Sequence, residues 1–283
     1  MMEMVRVTFL KIGFLGVSNL IEALLDERAS RRGLSIRVVS TGCKMDVEEA
    51  IDAAKLAASI PSDLYVVVSP NAALPGPREA RRLLKETGKP IIVVSDEPTK
   101  KIAEELGEEG FGYILIYADS MIGARREFLD PVEMALFNSD VLKVLAITGV
   151  LRLVHMELDR VIRQIEAGEQ PELPRMRITK ERALEMSGLN NPYAYAKAMA
   201  SFEMARRVAA LSTEGCFKVK ERERYIPIVA AAHELMRWAA MLADEAREME
   251  KANDTVTRIV HFRDGSLRRK KKLYEKYEAL TDL

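Results

Sequence analysis

The chain has 283 residues, 48% of them hydrophobic, and balances 43 lysines and arginines against 43 aspartates and glutamates. That length admits one large domain or two modest ones with an ample core, and the even charge excludes a broad basic field for nucleic acid or an acidic field for cationic partners. Two cysteines, Cys43 and Cys216, exclude a disulfide framework and predict a reducing, cytoplasmic setting; the acidic start without a cleavage site, and no uncharged run near the roughly 18–20 residues of a bilayer span, predict a chain neither secreted nor membrane-embedded.

In chain order, residues 5–12 (VRVTFLKI), 34–40 (LSIRVVS), 63–69 (DLYVVVS), 89–95 (KPIIVVS) and 111–117 (FGYILIY) are β-branched or aromatic runs, near-continuously apolar and so predicted to be buried on both faces. Helical patterns lie between them: VSNLIEALLDERASR, DVEEAIDAAKLAASI, PREARRLLKETG and PTKKIAEELGEEG. Strands joined by crossover helices give an α/β fold, an open doubly wound parallel sheet of Rossmann-like type.

From about residue 131 the strand signal disappears. Pro131 suits a first helical turn, and apolar residues then recur at helical spacing to about Ile165, predicting a helix of about 35 residues and roughly 50 Å unless Gly149 bends it. Part of that length is expected to pack on another subunit. EAGEQPELPRMRIT reads as a connecting loop, and residues 191–213 and 224–252 as two alanine- and methionine-rich helices of a C-terminal helical bundle. The expected organisation is an α/β ligand-binding domain over 1–130, a helical bundle over 131–252, and a polar, basic tail over 253–283 that covers neighbouring elements or stays mobile.

In an open parallel sheet, ligands bind beyond the carboxyl ends of the strands. The first strand runs into Gly13-Phe14-Leu15-Gly16-Val17-Ser18, the second into Ser40-Thr41-Gly42, the third into the proline-stiffened Ser69-Pro70-Asn71-Ala72-Ala73-Leu74-Pro75-Gly76-Pro77, and the fourth into Ser95-Asp96. A GxxG turn serves a phosphate or a merely tight connection equally well. The third glycine of a dinucleotide fingerprint is missing, and Val39-Ser40-Thr41-Gly42 stands where an acidic ribose ligand belongs, which argues against NAD. His233-Glu234-Leu235-Met236-Arg237 begins like a zinc motif but places arginine where the second histidine belongs, so no metal is expected and His233 reads as a helix-packing residue. Residues 123–133, GARREFLDPVE, crowd charge at the end of the fifth strand, either as a solvated helix start or as the working part of a site.

Residues 112–149, GYILIYADSMIGARREFLDPVEMALFNSDVLKVLAITG, closely resemble the coenzyme F420-dependent methylenetetrahydromethanopterin dehydrogenases of methane-metabolising archaea. The likeness extends through LLDERA (24–29), KMD (44–46), the Pro-Gly-Pro loop, NPYAYAKAMA (191–200), EGCF (214–217) and ERYIPIVAAAHELMR (223–237), nearly the whole chain. It implies reversible hydride transfer between the pterin and the deazaflavin coenzyme as a dissociable cosubstrate, no prosthetic group, no metal, and a homohexamer built as a trimer of dimers. On that resemblance the coenzyme meets Gly13, Phe14, Leu15, Gly16, Ser18, Ser40, Thr41, Gly42, Lys44, Met45, Ser69, Pro70, Asn71, Pro75, Gly76 and Pro77. The pterin meets Arg125, Arg126, Pro131 and Glu133, and the carboxylate matched to developing positive charge is Glu127, Asp130 or Asp96. Two departures bear on coenzyme contacts: the family's glycine loop commonly reads Gly-Asn-Leu-Gly-Thr-Ser, and its third loop Pro-Asn-Pro where this chain has Pro70-Asn71-Ala72. A non-catalytic nucleotide- or cofactor-binding regulator is the alternative; nucleic-acid binding through Arg268-Arg269-Lys270-Lys271-Lys272 rests on one charge run.

Overall fold

A computed structural model describes residues 4–280. Strands β1 (Val5–Lys11), β2 (Leu34–Ser40), β3 (Leu64–Ser69), β4 (Ile91–Ser95) and β5 (Gly112–Ile116) form a parallel sheet, as the alternating pattern predicts. A sixth strand, β6 (Arg175–Ile178), pairs in parallel with β5 and completes the order β2-β1-β3-β4-β5-β6. It lies within the stretch expected to be a loop, because four residues bracketed by proline and charge carry too little apolar signal to read as a strand. Every residue of β3 and β4 is buried, whereas β2 at the sheet edge leaves Val38 45% exposed, so burial on both faces holds for the centre and fails at the rim.

The first predicted helix is much shorter than its pattern. A 3-10 turn (Gly16–Asn19) leads into α1 (Ile21–Leu25), after which Glu27, Arg28 and Ala29 all adopt left-handed conformations at φ 48°, 56° and 71°. Three such residues in a row are costly, and buried partners for Glu27 and Arg31 offset the strain. Helices α2 (Val47–Ser59), α3 (Pro75–Lys85) and α4 (Ala103–Glu108) complete the crossovers, with Asp46 capping α2 through the Glu49 amide at 3.1 Å.

The long helix predicted over 131–165 is two helices, α5 (Pro131–Ile147) and α6 (Val150–Glu166), meeting at 66°. Gly149 is the bend: at φ +93° it occupies a conformation that disfavours any side chain, and a Cβ there would lie 2.1 Å from the Ala183 carbonyl oxygen. After β6 come α7 (Lys180–Ser187), α8 (Pro192–Thr213) and α9 (Arg222–Ala252). Helix α9 has the length and hydropathy of a membrane span, with Glu234 and Arg237 at its middle. Its stripe of Val229, Ala232, Met236, Ala239 and Ala240 is buried in the core. That core joins Val7, Phe9, Val66, Ile92 and Ile114 of the sheet to Phe137, Val144, Val154 and Phe202 of the helices; a second cluster on the opposite face packs Leu10, Val67 and Val93 against α2 and α3.

The tail, where no strands were expected, folds into an antiparallel sheet of β7 (Arg258–His261), β8 (Leu267–Lys270) and β9 (Glu278–Ala279). It is fastened from beneath. Buried Asp159 on α6 pairs with Arg31 and lies 3.2 Å from Nε2 of His261, whose backbone N–H donates to Glu27. Two cations of the basic run are spent locally, Arg268 over the Phe262 ring and Lys270 over Tyr277.

Candidate active site

The loops beyond β1, β2, β3 and β4 are knitted into one edge. The Gly13 amide donates to the Thr41 hydroxyl at 3.1 Å, and that hydroxyl donates to the Lys44 carbonyl at 2.6 Å. Gly13 sits at φ +74°, where a Cβ would press to 2.6 Å from the Met45 side chain; one at Gly76 would strike the Met45 carbonyl at 2.3 Å. Both glycines are therefore fixed by close approach as well as by turn geometry. The Ala72 amide donates to Thr99 at 2.8 Å, and Ser95 donates to the Ser69 carbonyl, closing the third and fourth loops on each other.

Not every residue in these loops faces outward. Leu15, Gly16, Ser18, Ser69, Pro70 and Pro77 are buried, and Ser18 donates its hydroxyl to the Leu15 carbonyl. Phe14, Thr41, Met45 and Asn71 are half-buried; Ser40, Gly42, Lys44 and Pro75 are exposed. The Ser69 hydroxyl is buried without a hydrogen-bond partner among the described residues.

The charged run forms a second group where α5 starts beside α9. Asp130 caps α5, its Oδ1 accepting from the Val132 amide at 2.9 Å and the Glu133 amide at 3.3 Å. Pro131 is the exposed first residue of the helix. Glu133 meets His233 Nδ1 at 2.5 Å, and the imidazole lies between the Phe128 and Phe137 rings, so His233 is a packing residue with a carboxylate partner. The guanidinium of Arg125 is committed to the Gly215 and Val219 carbonyls and stacks on Tyr225 at 3.9 Å. Arg126 is exposed and forms no ion pair among the described residues. Glu127 accepts from Arg222 at 3.1 Å and from the Tyr225 hydroxyl at 3.2 Å. Its own backbone N–H, then Tyr225 and Arg222, hold its carboxyl below the usual range.

One residue joins the two groups and was not anticipated. Asp119, three positions past β5, is buried and accepts from the Gly16 and Val17 amides, each at 2.8 Å. It thereby ties the turn after β1 to the segment that leads into Arg125. Burial pushes its carboxyl up to about 7 despite those two amides. Asp96 at the end of β4 is likewise raised well above its usual value, first by burial and further by the charge of Asp119. A lone aspartate between Ala118 and Ser120 offers no periodicity or motif from which to suspect this.

Cavity size does not locate the site. An open cavity of about 660 Å³ lies at the N-terminal ends of β5 and β6, lined by Phe111, Glu157, Arg160, Arg175 and Arg182, opposite the loop-knit edge. Among the described residues, no three histidine, cysteine, aspartate or glutamate side chains gather as a metal site would need.

A parallel six-stranded sheet, four loops knitted along its carboxyl edge and a charged collar from a helical layer define a Rossmann-like α/β protein. The model for the family described as methylene-5,6,7,8-tetrahydromethanopterin dehydrogenase matches residues 5–278, and the chain belongs to that family. Relatives named F420-dependent methylenetetrahydromethanopterin dehydrogenase include one from Archaeoglobus fulgidus, 58% identical over 97% of this chain and 99% of its own length. Another, from Methanocaldococcus jannaschii, is 46% identical over the same shares. A solved structure of an F420 dependent methylene-tetrahydromethanopterin dehydrogenase, in complex with methylene-tetrahydromethanopterin and coenzyme F420, superposes with a TM-score of 0.94 at 47% identity, covering 97% of this chain and all of that one.

Proposed function

We propose that the chain is an oxidoreductase that transfers a hydride reversibly between methylenetetrahydromethanopterin and coenzyme F420 in one-carbon metabolism. The observation that carries this reading is near-complete coverage by relatives of that activity, one of them solved with both compounds. The loop edge suits the two: small and hydroxyl residues line the loops after β1 to β4, and the collar supplies charge of both signs.

Once bound, the deazaflavin supplies the carbon that accepts the hydride, while the pterin's two nitrogens share the positive charge left behind. What remains for the chain is to hold, orient and set the field. Glu127 is the carboxylate best suited to the developing cation, because it is accessible and held ionised by Tyr225 and Arg222. Asp130 is engaged as the α5 cap, and Asp96 is buried with its carboxyl pushed toward the neutral form. Arg126 is the freer guanidinium for an anionic group, since Arg125 is held by the Gly215 and Val219 carbonyls and the Tyr225 ring while Arg126 is exposed without an ion pair among the described residues. The loops holding Gly13, Phe14, Thr41, Met45 and Asn71 take the coenzyme, with Glu133 and the start of α5 toward the pterin.

The homohexamer and cytoplasmic placement belong to the same reading. Supporting a subunit contact, Leu129, Val132 and Leu136 form an exposed apolar stripe along the start of α5; supporting a reducing compartment, Cys43 and Cys216 are both free thiols. The test is absorbance: mixing the chain with methylenetetrahydromethanopterin and oxidised coenzyme F420 bleaches the coenzyme chromophore. Binding of both without bleaching sinks the catalytic reading in favour of a non-catalytic binder.

A further inference from the structure

The β1 turn is held by a carboxyl group rather than by its own sequence. Gly16 and Val17 direct consecutive amide N–H groups to the two oxygens of Asp119, Gly16 to Oδ1 and Val17 to Oδ2, both at 2.8 Å. The fit leaves no slack: a Cβ on Gly16 would come within 2.5 Å of Asp119 Oδ1 and 2.7 Å of a Val141 methyl on α5. The adjoining chain is pinned as well, for the Ser120 hydroxyl donates to the Ala205 carbonyl on α8. Asp119 is thus a fixed post, and the turn between Gly13 and Ser18 hangs from it.

We propose that Asp119 is a positioning residue for the coenzyme, whose carboxylate sets the Gly16–Val17 turn and whose protonation releases it. The proposal rests on the reading above, that the β1 turn meets the coenzyme. The ionised carboxyl accepts strongly from both amides. A proton on either oxygen leaves a hydroxyl, a much poorer acceptor for the N–H it faces, so one arm of the clamp is weakened. The groups that face Asp119 favour the exchange. The titratable neighbours are Asp96 at the end of β4 and, behind it, Glu97, both acidic; the side facing α5 contributes the apolar Val141, and no ion pair reaches Asp119 among the described residues. With no cation paired to it, burial disfavours the ionised form of Asp119, and the charge Asp119 carries when ionised raises Asp96 in turn. Burial pushing the carboxyl to about 7 puts the exchange near neutrality.

Ionisation favours the coenzyme-ready turn, and protonation the slack one. The apparent KM for coenzyme F420 in the wild-type chain is therefore expected to rise as pH falls below about 7, by no more than about tenfold per pH unit for a single proton. Asp119→Asn, which offers one acceptor and one donor to two N–H groups, is expected at about pH 8 to show the raised KM of the acid wild type, with the loss concentrated in KM rather than kcat. The wild-type to variant KM ratio should then depend on pH, and titration of the coenzyme itself cancels from that ratio. A second measurement needs no variant: hydrogen exchange of the Gly16 and Val17 amides, corrected for intrinsic rates, should lose protection over the same pH range, while the buried Val67 amide does not. A pH-independent KM ratio, or protection at Gly16 and Val17 that ignores pH, overturns the proposal. Failure of the wild-type chain to bleach the coenzyme at any pH sinks the catalytic reading instead, and exchange still reports on the clamp.

Discussion

Glu127 and Asp130 stand three residues apart and are held by different chemistry. Glu127 ends in a hydroxyl and a guanidinium, both contributed by α9. Asp130 ends in two backbone amides of its own helix. Since asparagine caps a helix about as well as aspartate, Asp130→Asn is expected to unfold within a few tenths of a kcal/mol of wild type, whereas Asp130→Ala loses about 1 kcal/mol. Glu127→Gln keeps a hydrogen-bond acceptor for Tyr225 but removes the charge. Its expected signature is turnover reduced by about 10²-fold with both dissociation constants little changed, the pattern of an interaction stronger in the transition state. Single-turnover bleaching of the coenzyme with titrated binding of each ligand separates these. If Asp130→Asn loses the turnover and Glu127→Gln keeps it, the two roles exchange; if both keep it, neither carboxylate faces the cation.

At the scale of elements, much of the sheet and the long helices was written in the sequence, because their signals are local. Short β-branched Val/Ile runs bounded by turn residues favour buried strands, and Pro131 with Asp130 before it marks a helix start. What was not legible depended on partners far along the chain. The sixth strand has an unremarkable sequence and exists because β5 offers it an edge; α1 stops early because Glu27 is drawn toward His261, 234 residues away. In the candidate site, the glycine turn and the proline-stiffened loop could be placed from strand order alone. The commitment of Arg125 to backbone carbonyls and the reach of Asp119 across 103 residues could not. The bend at Gly149 was foreseen as an option and is now a testable one. Gly149→Ala meets backbone at 2.1 Å and 2.5 Å in a left-handed conformation, and is expected to cost about 2–4 kcal/mol. Gly168→Ala is the control: φ is also positive, at +72°, but nothing lies within 4 Å of the new methyl, so only the backbone penalty of about 1 kcal/mol remains. Chemical denaturation of the two variants beside wild type reads the difference, and equal losses would remove the steric account of the bend.

For the whole molecule, two buried sites at different places pull stability in opposite directions with pH. Around Asp159, burial and the nearby charge of His261 push the His155 imidazole down to about 4, so it stays neutral in the fold and takes a proton readily only when the chain unfolds. The unfolded chain then binds more protons between about pH 6.5 and about pH 4, and stability falls as pH drops through that window. Asp119 has the opposite sign: with its carboxyl raised to about 7, the folded state binds the extra proton from about pH 4 upward, and stability falls as pH climbs toward 7. His261 shares that second sign: burial lowers it, but its bonds to Asp159 and Glu27 win and raise it, so its contribution is lost as pH rises through its folded value. A wild-type melting curve against pH therefore understates both sites because their slopes cancel between about pH 4 and about pH 6.5. Single variants remove the cancellation. His155→Asn deletes the acid-side penalty, so its advantage over wild type is expected to grow on acidification from about pH 6.5 to about pH 4, by at most about 3 kcal/mol. Asp119→Asn moves the other way, its stability relative to wild type falling on acidification as the wild-type carboxyl takes up its proton. Thermal unfolding of the three chains across that range decides it: parallel curves would mean that neither buried group changes protonation on folding.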